Sequence, residues 1–295
     1  MAEPRRMSPF EAHLRRALKL LRWRWRRWQT ARRYGAQALA AAPRLFGNAQ
    51  TKAGSHLLHQ VLLGFPHIGP FVDPGMPPVN RYEDNRKLPP AAVQKNLRRL
   101  QPGDVAYGYL PGREPYLSWL SSPGWATIHI MRDPRDLAVS HVFYIADMQP
   151  YHDWHEYFNT VATQLEERLR IVIAGHRVGD LWFQDLRSRY ESYMGWLRQP
   201  GVLVVRFEDL RLRPREALRD ILHFVRSRGD WPLAVSEEEA LDRLQAAIQP
   251  HKSGTFRRGQ PGNWREYFTP ALKDLFKQVT GDLLIELGYE QNHDW

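Results

Sequence analysis

Three short stretches carry cations where a chain turns and an anion would fit. Residues 126–140 read ATIHIMRDPRDLAVS: a largely apolar, β-prone run stops at Arg132 and a helical pattern starts at once. Asp133 is a suitable N-cap and Pro134 a suitable first helical residue. Arg132 then sits at the carboxyl edge of a strand, and Ser140 lies on the helix that follows. A guanidinium in that place either grips a phosphate through two parallel hydrogen bonds or pairs with a nearby acid. Upstream, Thr51-Lys52-Ala53-Gly54-Ser55-His56 joins an apolar run to an apolar helix. Small residues opening a helix offer backbone N–H groups to an anion, and Lys52 adds a full charge. The Gly-Lys-Ser/Thr of a Walker A loop is missing, and the lysine precedes the glycine. The turn therefore reads equally as a phosphate loop or as a plain strand–turn–helix with a snorkelling lysine. Near the C-terminus, Phe256-Arg257-Arg258-Gly259-Gln260-Pro261-Gly262-Asn263-Trp264-Arg265 puts two arginines beside glycines that let backbone approach a ligand. It reads as a basic flap or as an exposed turn.

The elements that must position these stretches are strands alternating with helices. Apolar runs at 45–51, 104–110, 126–131 and 202–207 predict buried strands, the first being the weakest. Helical patterns lie near 55–64, 134–147, 153–174, 180–198, 213–228, 236–248 and 270–287. This alternation predicts right-handed crossovers and a mostly parallel sheet flanked by helices, with ligands beyond the carboxyl ends of its strands. Residues 66–90 hold seven prolines and predict a long irregular segment, a length usually kept for function.

The chain has 295 residues and no cysteine, so disulfides, thiolate metal sites and a cysteine nucleophile are excluded. Absence of cysteine fits a reducing, cytoplasmic setting. No run of 18 apolar residues occurs, so no membrane-spanning helix is expected. Of the net charge of +10, residues 1–35 carry 11 Lys+Arg against 2 Asp+Glu, or +9. The remaining 260 residues carry 31 against 30, or +1. A nearly neutral body argues against nucleic-acid binding. In residues 10–33, Leu14, Leu18, Leu21, Trp25 and Trp28 are spaced for one helical stripe among arginines. Such a helix suits an anionic membrane surface, or docks on the body or a partner chain. The Arg-rich pattern is also that of an organelle transit peptide, while arginines interrupt any secretory h-region. Residues 35–43 read as the end of this extension or a short helix.

In order, the three stretches resemble the sulfotransferases that use 3′-phosphoadenosine 5′-phosphosulfate (PAPS). Lys52-Ala53-Gly54-Ser55 resembles the family's Lys-Ser-Gly-Thr loop. Arg132 to Ser140 resembles its 3′-phosphate segment nearly residue for residue. Arg257 to Arg265 resembles its Arg-Lys-Gly-x-x-Gly-x-Trp-Lys segment, and Phe207-Glu208-Asp209-Leu210 and Phe268-Thr269 also fit. The likeness spans roughly residues 44–290. It implies a single α/β, P-loop-like sulfotransferase domain at 44–295, behind a basic extension at 1–43. The donor would be PAPS and the product PAP, with no metal. Lys52 would contact the bridging oxygen as the S–O bond breaks. The amides of Ala53, Gly54, Ser55 and His56 would cradle the 5′-phosphate. Arg132, Ser140, Arg257, Arg258 and Gly259 would hold the 3′-phosphate, and Tyr190 or Tyr193 the adenine.

The likeness fails at the general base. The family's Lys-Thr-His-Leu-Pro-like segment is here Tyr107-Gly108-Tyr109-Leu110-Pro111, with Tyr109 at the histidine position. The glutamate used by polysaccharide-modifying relatives falls at about Gln60. Replacement candidates are Tyr109, which needs a nearby cation such as Lys52 to ionise, and His59, one helical turn past Ser55. The aromatic and acidic stretch 143–154 suits a sugar ring or a phenol. A membrane-binding extension favours a glycan or glycolipid acceptor.

Overall fold

The structure is a computed structural model and describes residues 9–252 and 257–295. Residues 1–8 and Phe256 lie outside the described residues, as do the side chains of Leu14 and Arg16. The strands are β1 (Arg44–Ala49), β2 (Val105–Gly108), β3 (Trp125–Met131), β4 (His176–Val178), β5 (Leu181–Phe183) and β6 (Val202–Arg206). The four expected runs make one parallel sheet in the order β2-β1-β3-β6, while β4 and β5 form a separate hairpin. In β1 and β3 almost every residue is buried, as parallel strands covered on both faces require. On one face Leu45, Ile128 and Ile130 pack with Leu58 and Leu62 and with Ile221 and Leu222 of the helix Pro214–Ser227. On the other, Phe46 packs with Leu97, Leu120 and Trp196.

Helices α1 (Pro9–Tyr34) and α2 (Ala36–Ala41) precede β1, and α3 (Ser55–Leu62) follows it. Then come α4 (Pro90–Arg99), α5 (Tyr116–Ser121) and α6 (Pro134–Phe143). As expected, Asp133 caps α6 by accepting from the Arg135 amide, with Pro134 at its first turn. The helix continues as a π turn over Tyr144–Met148.

Several boundaries differ from expectation. The pattern at 153–174 splits into helices His155–Thr160 and Leu165–Ala174, the second opened by a Gln164–Glu167 capping box. The pattern at 180–198 becomes a helix only from Leu186, after Asp185 caps it, because residues 176–183 form the hairpin. The one at 270–287 divides at Gly281, which has a positive φ of 54°. Helices α4 and α5 were not signalled by period alone.

Helix α1 lies against the body, but not through its apolar stripe. Trp23 is buried with Leu39 and Val72, and its Nε1 donates to Asp104 Oδ1 at 2.9 Å. Arg27 reaches the same carboxylate at 2.8 Å, and Arg26 donates to the carbonyl and carboxylate of Asp73. Leu18, Leu21, Trp25 and Trp28 stay exposed.

Candidate functional site

A cleft of about 530 Å³ opens beyond the carboxyl ends of the sheet strands. The turn after β1 supplies Lys52, Gly54, Ser55 and His56, Tyr109 follows β2, Arg132 ends β3, and Phe207 and Arg211 follow β6. Arg257, Arg258 and Gly259 close one side. Arg81 and Glu83 of the proline-rich segment form another wall. The three cationic stretches, remote in sequence, thus share one hollow.

The turn after β1 is tight. Lys52 adopts φ 71° and Gly54 φ 106°. A Cβ on Gly54 would sit 2.6 Å from the Phe207 ring, so only glycine lets β6 approach. The first α-helical bond runs from the Leu58 amide to the Gly54 carbonyl. The amides of Ser55 and His56 therefore precede the helical ladder and are available to an anion.

The charge distribution is lopsided. Lys52, Arg81, Arg132, Arg211, Arg257 and Arg258 line the cleft, against Glu83 and Asp136. Both acids are engaged elsewhere: Glu83 pairs with Lys19 at 2.6 Å, and Asp136 accepts from the Gly262 and Trp264 amides at 2.6 and 2.9 Å. Burial, and then the charges of Arg132 and Arg257, push the Lys52 ammonium down to about 8. Its Nζ lies 4.3 Å from the centre of the Tyr144 ring.

Arg132 and Arg135 have different surroundings. Arg135 is the structural one: it pairs with Asp133 and Glu290 and is stacked between Trp264 and Trp295, 4.1 and 4.6 Å from their ring centres. Arg132 forms no ion pair among the described residues. It is 7% exposed, donates to the Lys52 carbonyl at 3.2 Å and lies over the Phe207 ring. Its Nε is buried with no partner, a costly arrangement that an anion would relieve. Arg257 lies 3.8 Å from the Phe143 ring centre and donates to the Tyr267 hydroxyl. Arg258 pairs with Glu266 at 2.6 Å.

Of the expected site residues, Lys52, Gly54, Ser55, His56, Tyr109, Arg132, Ser140, Arg257, Arg258 and Gly259 line the cleft. Four do not. The Ala53 amide donates to the Gln50 carbonyl at 3.0 Å and its methyl is buried, so it is spent on the turn. His59 lies one residue off the cleft-facing pair His56 and Gln60 and stacks on Tyr107, with ring centres 4.0 Å apart. Burial holds it down to about 4. Tyr190 and Tyr193 face the sheet from the helix Leu186–Leu197, beside His129 and Met131, and not the cleft. Tyr190 donates its hydroxyl to the Arg132 carbonyl at 2.7 Å, so it supports the strand end from behind. The aromatic rings lining the cleft include instead Phe143, Tyr144, Phe207, Tyr82, Tyr107 and Tyr109.

The Tyr109 hydroxyl lies 3.1 Å from Ser55 Oγ, and Arg81 lies over its ring at 5.5 Å. Asn80 fixes Tyr109 by bonding both its amide and its carbonyl. Gln60 lines the cleft but exchanges two hydrogen bonds with the Gln249 backbone. Arg81, Asp136 and Arg211 were missed. Arg81 sits in an irregular segment without period, and Arg211, which donates to the Gly259 carbonyl, gives no motif signal. Asp136 was visible only as part of a motif with no role attached.

Residues 119–288 match the family described as sulfotransferase domain. The chain is 26% identical over 174 residues to Sulfotransferase 1B1 of Mus musculus, a stretch covering 52% of each protein. It is 24% identical over 168 residues to the 3-alpha-hydroxysteroid sulfotransferase of Cavia porcellus, covering 52% of this chain and 53% of that one. The chain thus spans about half the length of the curated relatives it matches. Mouse sulfotransferase SULT7A1, complexed with PAP, shares the fold with a TM-score of 0.58 at 16% identity, over 86% of this chain and 91% of that one. Retinol dehydratase, in complex with androsterone and PAP, gives a TM-score of 0.52 at 15% identity, over 88% and 85%.

Proposed function

The chain belongs to the sulfotransferase family, and on that premise we propose that its cleft takes PAPS and transfers the sulfuryl group to an acceptor hydroxyl or amine. The observation that carries this reading is the convergence of Lys52, Arg132 and Arg257 on one hollow, with the buried Arg132 guanidinium in no ion pair among the described residues. The 3′-phosphate is held by Arg132, Ser140, Arg257, Arg258 and the Gly259 backbone. The 5′-phosphate lies on the amides of Gly54, Ser55 and His56. Lys52 stabilises the charge that grows on the bridging oxygen as the S–O bond breaks and the acceptor oxygen bonds to sulfur. Tyr109 is the preferred group for taking the acceptor proton, since His59 does not reach the cleft and Gln60 is tied to Gln249. The acceptor is a glycan or glycolipid, and the protein works in the cytoplasm at an anionic membrane surface.

A general base contributes ~10²–10⁴-fold. Tyr109→Phe should therefore cut transfer from labelled PAPS by about that factor while PAP affinity holds; unchanged turnover would clear Tyr109. The same substitution of tyrosine for the expected histidine favours a second reading, a non-catalytic relative that binds PAP or PAPS and acts through α1. PAP raising the melting temperature where ATP does not, without transfer to any of a glycan and phenol panel, would select it.

A further inference from the structure

Helix α1 has two faces with different occupants. The inner face is filled by the body: Trp23 is buried, and Arg26 and Arg27 bind Asp73 and Asp104. The opposite face holds Leu18, Leu21, Trp25 and Trp28, spaced 3, 4 and 3 residues apart. They are 44%, 61%, 58% and 55% exposed. Arg15, Arg22, Arg24 and Arg32 are exposed on this helix, and none has an ion pair among the described residues. No acidic residue occurs between Glu11 and Asp73. Large apolar side chains set among unneutralised arginines match the headgroup and acyl boundary of an anionic bilayer, where aromatic rings and guanidinium groups both find partners.

The helix also holds the cleft rim. Lys19 pairs with Glu83 at 2.6 Å, and Glu83 lines the cleft together with Arg81 and Tyr82 of the same segment. Arg26 also holds that segment at Asp73. Whatever seats the outer face of α1 is therefore one ion pair away from the wall of the cleft.

We propose that the outer face of α1 seats the protein on an anionic bilayer and that the acceptor hydroxyl belongs to a lipid headgroup drawn from that surface. This rests on the sulfotransferase reading above. The sulfuryl group leaves the 5′-phosphate of PAPS and forms a sulfate ester on the lipid. The S–O bond to the phosphate breaks, PAP departs and the hydroxyl proton is released.

The test uses the full chain and sedimentation with phosphatidylcholine vesicles, with and without phosphatidylglycerol. Wild type should sediment with the anionic vesicles at least tenfold more than with the neutral ones. Trp25→Ala combined with Trp28→Ala should abolish that preference while the PAP-induced thermal shift persists, which separates docking from donor binding. Radiolabel from PAPS should enter the lipid extract of membranes. Equal sedimentation with both vesicle types would overturn the proposal, as would anionic binding indifferent to the two tryptophans. A homodimer dissolved by the same substitutions would give the face to a second copy and overturn it too. Label confined to soluble acceptors would overturn the lipid acceptor. Absence of any PAP shift would overturn the donor reading while leaving the vesicle result to be judged alone.

Discussion

At the scale of single residues, two arginines three positions apart have separate work. Arg132 faces the cleft with an unpartnered Nε, and Arg135 is locked between carboxylates and indole rings. Arg132→Ala should weaken PAP binding by about tenfold to a hundredfold, the worth of a charge-assisted contact, with little change in melting temperature. Arg135→Ala should cost about 3–5 kcal/mol of stability, because it strands two partly buried carboxylates. Calorimetric titration and urea unfolding separate these outcomes; equal stability losses would deny the division. Lys52 gives a pH signature. Its ammonium titrates near 8 because of burial and the neighbouring arginines, and a bound anion favours the charged form. PAP affinity should hold below pH 8 and fall as pH rises above it, until the bound lysine also loses its proton. Lys52→Arg, charged throughout that range, should flatten the profile; a wild-type affinity constant to pH 10 would remove Lys52 from the phosphate.

At the scale of elements, the proposed binding site depends on how the C-terminal flap is pinned to α6. Asp136 accepts from both the Gly262 and Trp264 amides, and this anchors the segment that carries Arg257 and Arg258. Simple electrostatics says that deleting a carboxylate beside phosphates should tighten binding. The geometry says the reverse: Asp136→Ala frees the flap, and PAP affinity should fall about tenfold or more. A rise in affinity measured by titration would refute the clamp. This clamp also marks what the sequence could reveal. The strand end and N-cap at Arg132-Asp133-Pro134 were legible because a periodic run, a cap and a proline coincide. Which partner each arginine takes was not, because Glu290 and Trp295 lie more than 150 residues away. Nor was the placement of Tyr190 and Tyr193 against the sheet, off the cleft lining. An aromatic on a helix shows its period but not whether the face it marks meets a ligand or the sheet.

At the scale of the molecule, the four-strand parallel sheet was readable from its apolar runs, whereas the seat of α1 was not. Period alone picked the stripe Leu14, Leu18, Leu21, Trp25 and Trp28, and left a bilayer, the body or a partner chain open as what meets it. The body covers Trp23, because a buried carboxylate at Asp104 needs donors, and among the described residues of this helix Trp23 and Arg27 reach it. Asp104 precedes β2, at the amino edge of the sheet, while Lys19 reaches Glu83 on the cleft rim. The helix thus runs along the body between opposite edges, and its two contacts should have separable effects. Arg27→Ala leaves the fully buried Asp104 carboxylate with only neutral donors. That costs about 3–5 kcal/mol, or on the order of 10 °C in melting temperature for a domain of this size. PAP affinity should stay within about twofold, because the lost contact lies at the sheet edge away from the cleft. Thermal unfolding and calorimetric titration on the same sample decide it. A large loss of PAP affinity with an unchanged melting temperature would mean that α1 acts on the cleft through its rim and not as a brace for the body.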